Sequence, residues 1–220
     1  MKKGFLILLT LMLVSFVAKA QLIKDRTNGL VTMGFDLYTD INTGNKYDNF
    51  DLRSINQGFG TYITYNFPMG ESKHTVSLGA GYSCHNYYMK KAWLAEPYAH
   101  AIEFIPAETK KSKVCFNYMD IPLEVNLRIA DKFKISFGAK VSFLINANSK
   151  AIGYMYGDGH KWEIKYNNIN AAESIVYGAF FRAGYRCVNV YAGYQFISSF
   201  KDGRGPQILP FSIGIGIRPY

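Results

Sequence analysis

The sequence predicts an all-β fold, an eight-stranded antiparallel transmembrane up-and-down β-barrel, on three observations. Eight stretches alternate apolar and polar residues with the two-residue period of a strand that separates two environments. The segments joining them alternate long and short, as in barrels whose turns face the periplasm and whose loops face outside. The first twenty residues have the layout of an export signal.

Taken in chain order, Lys2 and Lys3 lead an apolar stretch from Gly4 to Val17, and Ala18-Lys19-Ala20 supplies small residues at alternate positions. Residues 1–20 therefore read as a signal peptide cleaved before Gln21, and residues 21–220 as a single outer-membrane β-barrel domain. The apolar stretch is shorter than the roughly 20 residues a membrane helix needs, and no second stretch approaches that length. A membrane-embedded mature chain must then cross as a closed barrel, because only helices and closed barrels satisfy every backbone hydrogen bond in lipid.

Strands are expected near 29–39, 57–67, 74–88, 114–129, 132–145, 172–186, 187–198 and 209–218. On the fourth, Met119, Ile121, Leu123, Val125, Leu127 and Ile129 oppose Asp120, Pro122, Glu124, Asn126 and Arg128. The fifth sets Phe133, Ile135, Phe137, Ala139, Val141 and Phe143 against Lys134, Ser136, Gly138, Lys140 and Ser142. On the sixth, Ile175, Tyr177, Ala179, Phe181, Ala183 and Tyr185 share a face, with Val176 and Phe180 breaking the polar one, and the eighth repeats the theme with Phe211, Ile213, Ile215 and Ile217. Long connections span 40–56, 89–113, 146–171 and 199–208; tight ones span 68–73, Ala130-Asp131 and the turn around Arg186-Cys187. An even strand count puts both ends of the barrel at the periplasmic side.

Glycine weakens a strand, yet Gly58, Gly60, Gly79, Gly81, Gly138, Gly178, Gly184, Gly193, Gly214 and Gly216 all fall on the polar face. Eight strands leave an interior only wide enough for side chains, and small residues make room for long ones. A lipocalin-like soluble barrel would put charges outside instead. Its solvent face would not be this rich in Gly and Ser, and no N-terminal Gly-x-Trp signature is visible.

The 17 Tyr and 16 Phe suit interfacial girdles. Removing Lys2, Lys3 and Lys19 lowers the net charge from +9 to +6, and much of the excess sits in loops: Lys90, Lys91, Lys110, Lys111 and Lys113 in one, Lys150, Lys161 and Lys165 in another. Such clusters suit either plain solvation or the phosphates of outer-membrane lipid and lipopolysaccharide. An exported chain with no basic helix is not a nucleic-acid binder. Cys84 and Cys115 lie at mirrored positions about a hairpin centred near residue 99 or 100, so they read either as a disulfide or, with Cys187, as three isolated thiols.

The chain resembles the small outer-membrane β-barrel family, porin-like or PorT-like, related in architecture to the OmpA and OmpX barrels. The resemblance rests on the signal peptide, on Gly79-Ala80-Gly81-Tyr82, and on Tyr118-Met119-Asp120-Ile121-Pro122-Leu123-Glu124, which looks like that family's Tyr-x-Glu-Ile-Pro-Leu motif. It implies insertion by the outer-membrane assembly machinery and covers members with transport, structural and secretion-linked roles. Tyr220 departs from the pattern, being out of phase with Ile213, Ile215 and Ile217.

With the polar face inward, Asp36, Asp120, Glu124, Arg128, Lys134, Lys140, Arg182 and Arg218 form a lumenal charge network, with Glu124 and Arg128 as expected members. Such a network reads either as a structural plug or as a rearranging path for ions. Ser83, His85 and Asp120 can be drawn as a hydrolase triad acting on lipid esters, but no nucleophile motif surrounds them. No cofactor or metal is expected: His74, His100 and His160 lack ligand spacing, and Gly157-Asp158-Gly159-His160 and Asp202-Gly203-Arg204-Gly205 read as turns. Trp93, Tyr98, Tyr154, Tyr156, Trp162 and Tyr166 lie among loop lysines, a composition that suits an extracellular or secretion-system protein partner or a surface glycan.

Overall fold

The computed structural model describes residues 30–44, 51–156 and 159–218; the expected signal peptide and Tyr220 lie outside them. Among the described residues there are twelve strands: β1 (Val31–Asn42), β2 (Asp51–Leu52), β3 (Asn56–Pro68), β4 (Thr75–Lys90), β5 (Ala92–Leu94), β6 (Phe104–Pro106), β7 (Glu108–Ala130), β8 (Phe133–Tyr154), β9 (Trp162–Asn167), β10 (Ile175–Tyr185), β11 (Val188–Gln195) and β12 (Pro210–Ile217).

Eight of them close a ring. β1 pairs with β3, β3 with β4, β4 with β7, β7 with β8, β8 with β10, β10 with β11, β11 with β12 and β12 back to β1, all antiparallel. Closure removes the free edge that would otherwise present unpaired amides to lipid. Tight turns link β7 to β8 and β10 to β11, the latter holding Arg186 at a φ of 54°. Its amide donates to Lys132 O at 2.8 Å, tying two periplasmic turns together.

Within the membrane zone the wall is apolar outward and polar inward, as the alternation predicts. Ile215 is 62% exposed, with Phe137, Leu123, Ile121, Phe181 and Val190 also exposed, while Glu124, Asp36, Ser136, Ser142 and Arg182 are buried in the lumen. The lumen-facing glycines, Gly34 among them, make the room that this filling needs. A Cβ on Gly58 would sit 2.2 Å from the Tyr38 ring, and one on Gly216 would sit 2.1 Å from Asp36 Oδ1.

The two strands expected at 114–129 and 132–145 run much further, to 23 and 22 residues. Residues 108–113 of the connection drawn at 89–113 and residues 146–154 of the one drawn at 146–171 are therefore wall rather than loop. The cause is a β-bulge: the register passes from Asn117↔Asn146 to Tyr118↔Leu144, leaving Ile145 as the extra residue. A bulge shifts the phase of alternation by one, so Ser136 and Ser142 face inward below it and Ala147, Ser149 and Ala151 above it.

Above the bilayer the wall reverses its polarity. Tyr87, Met89, Val114, Phe116 and Tyr118 point inward and are buried, while Asn86 and Lys113 meet on the outer surface, the lysine donating to Asn86 Oδ1 at 2.7 Å. Lipid outside the lower wall rewards apolar residues facing out, and water outside the upper wall rewards the opposite.

Candidate functional site

Three layers fill the barrel from the periplasmic end upward. The lowest is ionic. Arg182, from β10, donates from Nη2 to Asp36 Oδ2 at 2.8 Å and from Nη1 to Glu124 Oε2 at 3.0 Å, and Arg218, just beyond β12, engages Glu124 Oε1. Two cations thus meet two anions drawn from four strands around the ring. Removing such charges from water costs several kcal/mol each unless they are paired and hydrogen-bonded, and pairing plus aromatic contact satisfies that demand. The Arg182 guanidinium lies 4.5 Å from the centroids of both Tyr62 and Phe180. Below it Asn126 accepts from Ser136 at 2.6 Å and donates to Ser77 at 2.6 Å, and Ser77 donates in turn to Asn66 at 2.5 Å.

Of the other expected members, Lys140 donates to Asp120 at 3.2 Å as a separate pair, and Lys134 lines a cavity of about 30 Å³ beside Arg182 and Arg218. Arginines from across the lumen hold Glu124, and Arg128 sits further down the same strand. Four residues along one strand separate Glu124 from Arg128 by about 13 Å, whereas Arg182 and Arg218 reach it across a narrow interior.

The middle layer was missed at the sequence level. Asp40 Oδ2 lies 2.7 Å from His85 Nδ1, Ser212 donates to Asp40 Oδ1 at 2.5 Å, and Tyr38 OH lies 3.3 Å from His85 Nε2. Asp40 shares the inward parity of Asp36 and Tyr38, and extending the first strand past residue 39 would have found it. Both ring nitrogens of His85 are thereby committed, so the drawn Ser83, His85 and Asp120 triad is not assembled: Asp120 faces Lys140 and His85 faces Asp40. The adjoining cavity, of about 30 Å³, has room for a water or two and none for a lipid ester.

The top layer is an apolar plug. Leu94 from β5, Phe104 from β6, Ala171 and Ala172 from the β8 to β10 connection, and Phe200 and Ile208 from the β11 to β12 connection descend onto Tyr87, Met89, Val114, Phe116 and Val176. Leu94 and Ile208 are 0% exposed. The connections are stitched to one another by backbone bonds, Ile102 N to Arg204 O at 2.8 Å, Asn170 N to Pro97 O at 3.0 Å and Lys201 N to Ala171 O at 2.8 Å. Val176, which breaks the polar face of its strand, is thus a plug residue, and Phe180 packs with Tyr38 and Tyr191 just below it.

Outside the wall, Cys84 and Cys115 are free thiols with sulfurs 3.4 Å apart. They are diagonal neighbours, since Cys84 pairs with Asn117 and Cys115 with Asn86, so the hairpin is centred one residue beyond the expected position.

The family described as outer membrane protein beta-barrel domain matches residues 20–201. The chain belongs to that family. This outer-membrane β-barrel domain has no match among curated proteins. Its similar solved structures include the attachment invasion locus protein Ail of Yersinia pestis, at 15% identity and a TM-score of 0.41 over 86% of this chain and 97% of that one. The same protein in complex with the heparin analogue sucrose octasulfate gives 14%, 0.39, 86% and 96%, and in a phospholipid nanodisc 14%, 0.34, 86% and 99%. At such scores the barrel reading of this family member rests on its own strand register and on the family match.

Proposed function

We propose that this protein is a non-conducting outer-membrane barrel that works through its extracellular end, as a structural element and a binding platform. The observation that carries the reading is the double closure of the lumen, by the Asp36, Arg182, Glu124 and Arg218 network below and by the plug around Phe116, Phe200 and Ile208 above. A narrow porin-like channel would need both layers to part together. The upper wall instead presents an aromatic surface: Tyr156 stacks edge-on with Trp93 at 5.8 Å and with Trp162 at 5.6 Å, and Tyr98 with Tyr166 at 6.2 Å. Tyr98, Tyr154, Tyr156 and Trp162 are exposed, the composition of a protein or glycan contact. Export through a signal peptide ending at Ala20, and insertion by the outer-membrane assembly machinery, belong to the same reading; intact mass of the mature protein, starting at Gln21, checks the first.

The experiment is single-channel recording of the refolded barrel in a planar bilayer. The reading expects no unit conductance from the wild type. Reproducible ohmic steps that vanish in the Glu124→Gln variant would replace it with the channel reading.

A further inference from the structure

We infer that the outer surface of the upper wall carries a binding groove for an anionic, phosphate-bearing saccharide, and that its occupant is the headgroup of the glycolipid surrounding the barrel. This deepens the platform reading above by giving it a ligand class. The groove, of about 820 Å³, is lined by Arg53, Gln57, Tyr88, Lys110, Lys111 and Lys161, and among the described residues no carboxylate lines it. Among the described residues, none of these four cations has an acidic partner within 4.0 Å. Among their neighbours, Lys90 is paired with Asp51 at 3.0 Å, and Lys150 and Lys165 share the single carboxylate of Glu163, at 2.8 and 3.1 Å. Four cations without an acidic partner therefore converge on the groove. Arg53 lies 5.8 Å from the Tyr88 ring centroid, within cation–π range of an aromatic side chain on which a sugar ring can also rest.

Position selects the source of the anion. Tyr88 and Lys111 point outward from β4 and β7, so the groove opens sideways from the wall and not upward over the plug. Met119 is the last apolar lipid-facing residue of β7 before the outer face turns to Asn117, Cys115 and Lys113. Lys111 lies eight residues further along. At about 3.4 Å per residue and a tilt near 40°, that is roughly 20 Å above the hydrocarbon edge. At this height an outer-leaflet glycolipid presents sugars and their phosphates, at the high local concentration of a packed leaflet, and basic side chains attract such charges.

The test uses the folded full mature barrel in neutral detergent, titrated calorimetrically at low salt with the deacylated, phosphorylated core oligosaccharide of lipopolysaccharide. The wild type is expected to bind, and the Arg53→Gln, Lys110→Gln, Lys111→Gln, Lys161→Gln variant to bind about tenfold or more weakly. A Lys73→Gln, Lys132→Gln variant, altered at the periplasmic turns, is expected to bind like wild type. Unboiled gel mobility verifies that each variant is folded, and a single Lys111→Glu reversal serves if the quadruple variant is not. Equal affinity in wild type and groove variant, or undiminished binding of the enzymatically dephosphorylated oligosaccharide, overturns the site. Preferential binding of dextran sulfate through the same residues overturns the leaflet assignment. None of these outcomes depends on conductance, so the two readings fail separately.

Discussion

At the scale of single residues, Glu124 carries the lumen. It is 1% exposed and takes both arginines, so neutralising it leaves two buried cations facing one remaining carboxylate. Breaking a buried pair from one side costs about 3–5 kcal/mol, and Glu124→Gln is expected to lower the urea midpoint of the barrel accordingly; an unchanged midpoint would show that the network is not structural. Gly216 tests the same layer from the steric side. Gly216→Ala brings a methyl to 2.1 Å from Asp36 Oδ1 and 2.6 Å from Asn189 Oδ1, and overpacking of this kind costs about 1–3 kcal/mol. Because both changes act on one cluster, Gly216→Ala with Asp36→Ala is expected to cost less than the sum of the two singly, a non-additivity that urea titration of the four proteins reads directly. The cysteines offer a third check. With their sulfurs 3.4 Å apart, treatment with the dithiol oxidant diamide is expected to join Cys84 and Cys115, forming one S–S bond as two thiol hydrogens pass to the oxidant. The exposed Cys187 stays open to alkylation. Mass spectrometry showing three alkylated cysteines after oxidation would count against it.

At the scale of elements, the alternation decides which face of each strand meets lipid. Phe137 on β8 pairs across with Val125 and Phe181, all three on the outer face. Phe137→Arg is expected to cost about 2–4 kcal/mol in the equilibrium for folding into vesicles, while Lys134→Met on the opposite face of the same strand leaves the lipid contact untouched. β9 packs Ile164 and Tyr166 against Trp93, Ala151 and Met155 and adds a surface charge cluster. Lys150 and Lys165 hold the Glu163 carboxyl below its usual range, so the contribution of this cluster is present above the ordinary glutamate pKa and is lost as pH falls through the lowered value. Amide exchange of β9, read against pH, should therefore stay slow through mildly acidic conditions and quicken only below the ordinary glutamate range. The elements most legible in the sequence were those that keep one phase from end to end, β10 and β12 among them. β8 was cut short because Ile145 resets its phase and its upper half then faces water.

At the scale of the whole molecule, the barrel is two cylinders of opposite polarity joined end to end, the lower turned outward to hydrocarbon and the upper inward to its own loops. In a cysteine-free background, spin labels at positions 137 and 215 are expected to be relaxed by oxygen and shielded from aqueous nickel chelate, and a label at position 113 to show the reverse; nickel access at 137 would overturn the orientation of the wall. The sequence by itself determined the class, the strand order and the lipid face, because a strand that separates lipid from a packed interior writes its two environments into alternate residues. Only the tertiary structure decided which charges meet, that Asp40 and His85 join, and that three connections pack into the mouth of the barrel. Those contacts link residues as far apart as Asp36 and Arg182, and closing the ring, not local periodicity, sets which inward side chains come within reach of one another.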